Sequence, residues 1–189
     1  LGAVRIAWLG GDEDANDTFR SRSDSGEPRL LGDIVNSNPQ LERQIDFGHS
    51  RLPDGDYSGY REKDVYKNRP NVLYVGANDG FLHAFDATNG EELFAYMPSS
   101  LLEPQANGSA RINRLMEKDY NHRFFVDGTP TIADAYIDDE WKTILVGSMG
   151  VGGDRVFALD ITDPTDFEAD DVLWEFGHDD LGRGVDSPQ

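Results

Sequence analysis

Residues 74–96 read YVGANDGFLHAFDATNGEELFAY. Residues 145–164 read LVGSMGVGGDRVFALDITDP, and VLWEF follows at 172–176. The two stretches line up. Val75-Gly76 matches Val146-Gly147, Ala84-Phe85-Asp86 matches Ala158-Leu159-Asp160, and Phe94 matches Trp174. Each holds short β-branched and aromatic runs broken by glycine turns, the pattern of an antiparallel meander. Asn78-Asp79-Gly80 supplies the positive φ that a tight hairpin needs, and Thr88-Asn89-Gly90 supplies a second turn.

Working outward, a proline-containing segment precedes each unit. Residues 32–39 (GDIVNSNP) lead into the first and residues 126–130 (VDGTP) into the second, while 185–188 (VDSP) read as the start of another. Four short strands per recurring unit are the signature of β-propeller blades, which stack face to face because one blade alone cannot bury both faces. The predicted fold is therefore all-β: an arc of two complete four-stranded blades, at 33–98 and 127–177, with partial blades at both ends. Between them, residues 99–122 interrupt the β pattern. Ile112, Leu115, Met116 and Tyr120 share a helical face behind a candidate cap at Ser109, which predicts a helical insertion. Residues 11–29 and 48–70 are polar, Gly- and Asp-rich, and read as loops. Phe85, Phe94, Trp141, Phe157 and Trp174 are the predicted aromatic core.

The chain has 189 residues and carries 36 Asp and Glu against 17 Lys and Arg, a net charge of −19. Binding to nucleic acid or to an anionic leaflet needs a basic footprint, so both are excluded as expectations. Lysine is scarce and aspartate abundant, a balance that keeps surfaces soluble in salt. There is no cysteine, which removes disulfides, thiol catalysis and thiolate metal sites. No run approaches the roughly 18 apolar residues of a spanning helix. The sequence starts without Met and stops at GVDSPQ, so it is expected to be a piece of something longer.

The GDIVNSNP, NDGFLHAFDA, VDGTP and WKTILVGSMGVGG motifs together resemble the C-terminal β-propeller of the PilY1/PilC family. These proteins are tip-associated adhesins and assembly factors of type IV pili, and the resemblance runs from about Trp8 to Pro188. It implies a non-enzymatic interaction module on the extracellular or outer-membrane surface of a Gram-negative bacterium, at the pilus tip. Its implied partners are major or minor pilins, pilus-tip proteins, and host or abiotic surfaces, and its implied roles are pilus biogenesis, surface attachment and twitching motility. Some members carry a calcium-binding Asp-rich loop after a later blade strand. That places any calcium site of the full-length protein downstream of Gln189, with no cofactor in this stretch. Some members read Leu-Arg-Gly-Asp near the start of the region. Here Leu9-Gly10-Gly11-Asp12 lacks the arginine, and no integrin role is carried over. The blade grammar is shared with quinone-cofactor dehydrogenases, the alternative enzyme reading, and with purely structural outer-membrane scaffolds.

Few residues suggest site chemistry. Asp12, Asp14 and Asn16 have the spacing of a calcium loop but lack its later glycine and glutamate, so they are weak metal candidates. The glycines of 147–153 precede a strand, not the helix a phosphate cradle requires. His49, His83, His122 and His178 form no metal-ligand spacing, and no Ser-His-Asp set, HExxH or P-loop occurs. Asp86 and Asp160 recur at the ends of equivalent strands, as turn-capping carboxylates do. The candidate partner-binding residues are those of the insertion. Leu101 and Leu102 are its apolar contribution, and Arg111, Arg114 and Arg123 form a cationic cluster on an acidic chain. Loops on a rigid scaffold are where recognition concentrates.

Overall fold

A computed structural model describes residues 2–12, 18–23 and 29–182. Two four-stranded antiparallel sheets form the body. The first orders β1 (Gln40–Glu42), β2 (Val72–Gly76), β3 (Leu82–Asp86) and β4 (Glu92–Tyr96). The second orders β5 (Thr131–Ile137), β6 (Glu140–Ser148), β7 (Arg155–Asp160) and β8 (Val172–Gly177). Strand order follows chain order in both, so each sheet is a meander, the blade that the repeat predicts. Equivalent residues pair equivalently, Ala84 with Phe94 and Ala158 with Trp174, and each sheet shifts register at that point.

The turn chemistry follows the sequence. Gly80 has φ +101° and Gly90 φ +77°. Asp86 accepts a hydrogen bond from the Thr88 amide at 2.7 Å, and Asp160 accepts from the Thr162 amide at 3.0 Å. Each carboxylate thus caps the loop that leaves its strand. Asp138 and Asp139 take positive φ in the β5–β6 turn, a conformation that short polar side chains tolerate.

The sheets pack face to face. Tyr74, Leu82, Ala84 and Tyr96 of the first and Leu145, Phe157 and Leu159 of the second share one core. Tyr96 lies 5.0 Å from Phe157, and its hydroxyl donates to Glu175 of β8. Three predicted core aromatics hold their places. Phe157 and Trp141 are buried, and Phe94 is half-buried and stacked on Phe167 at 3.9 Å. Phe85 is half-buried and stacks on His83. Trp174 is a correction: it is 45% exposed, with Phe176 at 51%. Strand residues alternate faces, and Glu175 points to the first sheet, so Trp174 and Phe176 lie on the far face.

The proline-containing segments before each sheet are irregular, and they fasten the sheets together. Asn36 donates its backbone N–H and its side-chain amide to the Asp127 carboxylate, at 3.1 and 2.5 Å. The Asn38 amide donates to Thr129 Oγ1 at 3.1 Å, and the Gly76 amide to Ser37 Oγ at 2.9 Å. Asn36 and Asp127 each stand three residues before a proline, Pro39 and Pro130. Asn36, not Asp33, is therefore the repeat equivalent of Asp127.

Two segments read as loops or strands are helical instead. Residues 49–68 hold a 3-10 turn (His49–Arg51), α2 (Tyr57–Glu62) and α3 (Asp64–Asn68). Asp56 caps α2 by accepting from the Gly59 amide at 2.8 Å. Tyr57, Tyr60 and Tyr66 bury one face against Trp141. Tyr57 donates to Asp134, Tyr60 meets Thr143, and Arg69 pairs with Glu42 inside the protein. At the N-terminal end, where a partial blade is expected, the described residues form α1 (Ala3–Leu9). Its run lacks any turn residue before Gly10, and Trp8 anchors it by donating Nε1–H to the Arg20 carbonyl at 3.1 Å. The start of a blade expected at 185–188 lies outside the described residues.

Candidate partner-binding site

The insertion begins with a 3-10 turn at Ser99–Leu101 and continues to a 3-10 helix at Arg111–Met116. The apolar spacing is helical, but the helix is tighter and shorter than an α-helix over 110–120. Ser109 makes no cap: Ala110 occupies that position without a side-chain bond, and Ser109 bonds Asn113 instead. Ile112, Leu115 and Met116 are buried. They seat the helix on the β2–β3 turn, where a β-carbon on Gly80 would stand 2.6 Å from Ile112 Cδ1. From the other side, Arg20 donates its backbone N–H to the Met116 carbonyl at 3.0 Å and lays its guanidinium over Tyr120 at 4.3 Å.

The segment returning to the second sheet is pinned as well. The Phe125 amide donates to Asn78 Oδ1 at 3.0 Å, and the Asn78 side-chain amide donates to Asp33 at 3.1 Å. His122 Nε2 meets the same carboxylate at 2.7 Å. Partial burial works to raise the Asp33 pKa, but the bonds from Asn78 and His122 outweigh it and hold the carboxyl below its ordinary value.

Between these fixed ends lies a cleft of about 440 Å³. Arg111, Arg114 and Arg123 line it, with His122, Gln105, Phe124 and Val151. The three arginines singled out in the sequence therefore converge on one site. Arg111 donates to the Phe124 carbonyl and Arg114 Nε to Gln105 Oε1, each at 3.5 Å, and the long Arg114 bond leaves most of that guanidinium edge available. Val151 reaches the cleft from the glycine-rich β6–β7 loop, so the second sheet adds a wall to those of the insertion.

The two leucines part from this cluster. Leu101 is fully buried in the common core, where it touches no partner, because the turn at Ser99–Leu101 points it at the blade below. Leu102 is 44% exposed and lines a separate apolar cleft of about 720 Å³ with Ile6, Leu31, Phe85 and Met97. His83 sits at the wall of that second cleft, bonded to Asp79 at 3.0 Å and Glu92 at 2.6 Å. Burial opposes its protonation, and the hydrogen bonds and charges of Asp79 and Glu92 outweigh burial, so its pKa is raised.

Of the weak metal candidates, Asp12 is exposed just past α1, and Asp14 and Asn16 lie outside the described residues. Among the described residues, no group of three His, Asp or Glu could hold a metal ion, and no helix is long and apolar enough to cross a membrane. Sequence reasoning missed Gln105, Phe124 and Val151 as cleft residues. Only the adjacency of Phe124 to Arg123 gave a signal.

The family model described as the PilY1 beta-propeller domain matches residues 31–186. The type IV pilus biogenesis factor PilY1 of Pseudomonas aeruginosa is 39% identical over 99% of this chain. A homologue of that factor from Xylella fastidiosa is 38% identical over 84% of it. The chain spans only 16% and 11% of the length of those relatives. The crystal structure of the P. aeruginosa PilY1 C-terminal domain matches 69% of this chain and 22% of its own, with 42% identity and a TM-score of 0.50. The repeat, the two meander sheets and these likenesses agree: the chain belongs to the PilY1 β-propeller domain family.

Proposed function

We propose that the chain is a non-enzymatic interaction module of a type IV pilus assembly and adhesion factor. It serves pilus biogenesis, surface attachment and twitching motility from the extracellular or outer-membrane surface of a Gram-negative bacterium, at the pilus tip. Pilins and pilus-tip proteins are its partners, and any calcium bound by the full-length protein sits outside this stretch. The observation that carries this reading is the 39% identity along 99% of the chain, insertion included, to a protein named for type IV pilus biogenesis. The insertion is the contact element, because it presents charged and apolar side chains on a scaffold fixed from both sheets.

The test uses the full-length protein in a piliated host. Pro104 and Ala110 already form a β-bridge, so residues 105–109 can be exchanged for an Asn-Gly turn without disturbing buried Ile112. At equal protein level, that strain is expected to show fewer surface pili and a smaller twitching zone. Wild-type piliation and twitching in cells that lack residues 1–189 altogether would overturn the pilus role.

A further inference from the structure

We infer that the arginine cleft is a receptor site for an acidic peptide segment, whose carboxylates dock on Arg114 and Arg123 while its backbone and apolar carbons lie on Phe124 and Val151. The inference rests on the reading of the insertion as the contact element and names the chemistry of what it contacts.

The first argument is the contrast with the other cations. Carboxylates outnumber cationic side chains by 36 to 17, and several cations with little exposure sit on a carboxylate: half-buried Arg61 on Asp46, Lys142 on Asp160 and Arg155 on Asp154, and buried Arg69 on Glu42. Half-buried Arg114 and exposed Arg123 have no such pair among the described residues. Arg114 bonds only an amide oxygen, and Arg123 contributes only its backbone N–H, to Tyr120. Placing the Arg114 and Arg123 guanidiniums on one cleft is unfavourable until a counter-charge arrives, because like charges repel.

The second argument is the kind of anion that fits. A guanidinium grips a carboxylate with two parallel N–H donors. Arg114 is half-buried, which strengthens that grip over its value in open water. Phe124 and exposed Val151 add apolar wall, and Gln105 adds an amide that can pair with a peptide backbone. A small inorganic anion would use the arginines and leave those walls unused. The overall charge of −19 does not repel the ligand, because at physiological ionic strength charges farther off than about 8 Å are largely screened.

The experiment is fluorescence anisotropy with the 189-residue chain and a fluorescein-labelled peptide of alternating Glu and Val. The peptide is expected to bind, with affinity falling as NaCl is raised. The double variant Arg114→Glu/Arg123→Glu is expected to lose at least tenfold. Arg43→Glu/Lys118→Glu makes the same change of net charge at exposed positions away from the cleft and is expected to stay within twofold. Near-UV circular dichroism checks that both variants are folded, and an unfolded cleft variant is replaced by Arg114→Gln/Arg123→Gln, held to the same tenfold criterion. Equal binding by the parent and the cleft variant would overturn the site. Displacement of the peptide by inorganic phosphate at matching concentration would overturn the peptide as its ligand. If the peptide fails to bind while the 105–109 exchange still lowers piliation, the acidic-peptide assignment falls and the pilus reading stands.

Discussion

Gly80 and Ile112 are locked together: the glycine turns the β2–β3 hairpin at φ +101°, and its missing side chain is the socket for the isoleucine. Gly80→Ala would place a methyl group 2.6 Å from Ile112 Cδ1 in addition to straining the backbone. Gly90 has a similar φ of +77° and open space around it. Gly90→Ala is expected to cost about 1 kcal/mol, the backbone term alone. Gly80→Ala is expected to cost about 2 kcal/mol or more, because a buried helix must also shift. Urea unfolding of the two variants checks this, and equal losses would show that the insertion is not seated on the turn.

Removing the acceptor between the sheets should be costly. Asp127 is 1% exposed and takes two donors from Asn36. Asp127→Ala strands both, and each unsatisfied group costs about 1–3 kcal/mol. A loss of about 2–4 kcal/mol in thermal or urea unfolding is expected. A variant that melts with the parent would mean that the sheets are held by apolar packing alone.

Protonation of His83 is expected to support the fold. Its pKa is raised in the folded chain, so its contribution is complete below the unfolded value of about 6.5 and is lost as pH rises through the higher folded value. The stability difference between the parent and His83→Gln should be largest near pH 5.5 and should narrow toward pH 8.5. Melting temperatures across that range measure it, and a difference that widens with pH would reverse the assignment.

The two sides of the second sheet should respond differently. Phe157 is fully buried against Tyr96, and Phe157→Ala is expected to cost about 3–5 kcal/mol. Trp174 lies on the far face, 45% exposed, and Trp174→Ala in the 189-residue chain is expected to cost about 1 kcal/mol. Equal melting of the two variants would contradict the face assignment.

The fold was legible where local chemistry and the repeat agreed. The Asn78-Asp79-Gly80 turn, the Asp86 and Asp160 caps and the paired Ala84 and Ala158 all declare themselves in the sequence, because each acts within a few residues of its own position. The helices at 57–68 did not. Their buried tyrosines sit among Gly, Asp and Lys, and their helical face is created by Trp141, 75 to 84 positions further on. The same holds for the site. Arg111, Arg114 and Arg123 lie within one stretch of chain and could be grouped by reading. Val151 joins them only through the packing of the two sheets, and whether Leu101 or Leu102 faces solvent depends on a single 3-10 turn. Trp174 was misplaced because its repeat position equals that of Phe94, while its neighbours do not.

Asn36 and Asp127 stand at one and the same repeat position, 91 residues apart, and bond to each other. Two ionised aspartates at this position would repel, whereas the Asn36 amide brings the donors that the Asp127 carboxylate accepts. Here one repeat offers the donors and the next the acceptor. The contact therefore has a polarity, like a hook and an eye, which sets the order in which neighbouring units can follow one another. A duplicated unit that kept an ionised aspartate on both sides would lack the donor that holds Asn36 to Asp127.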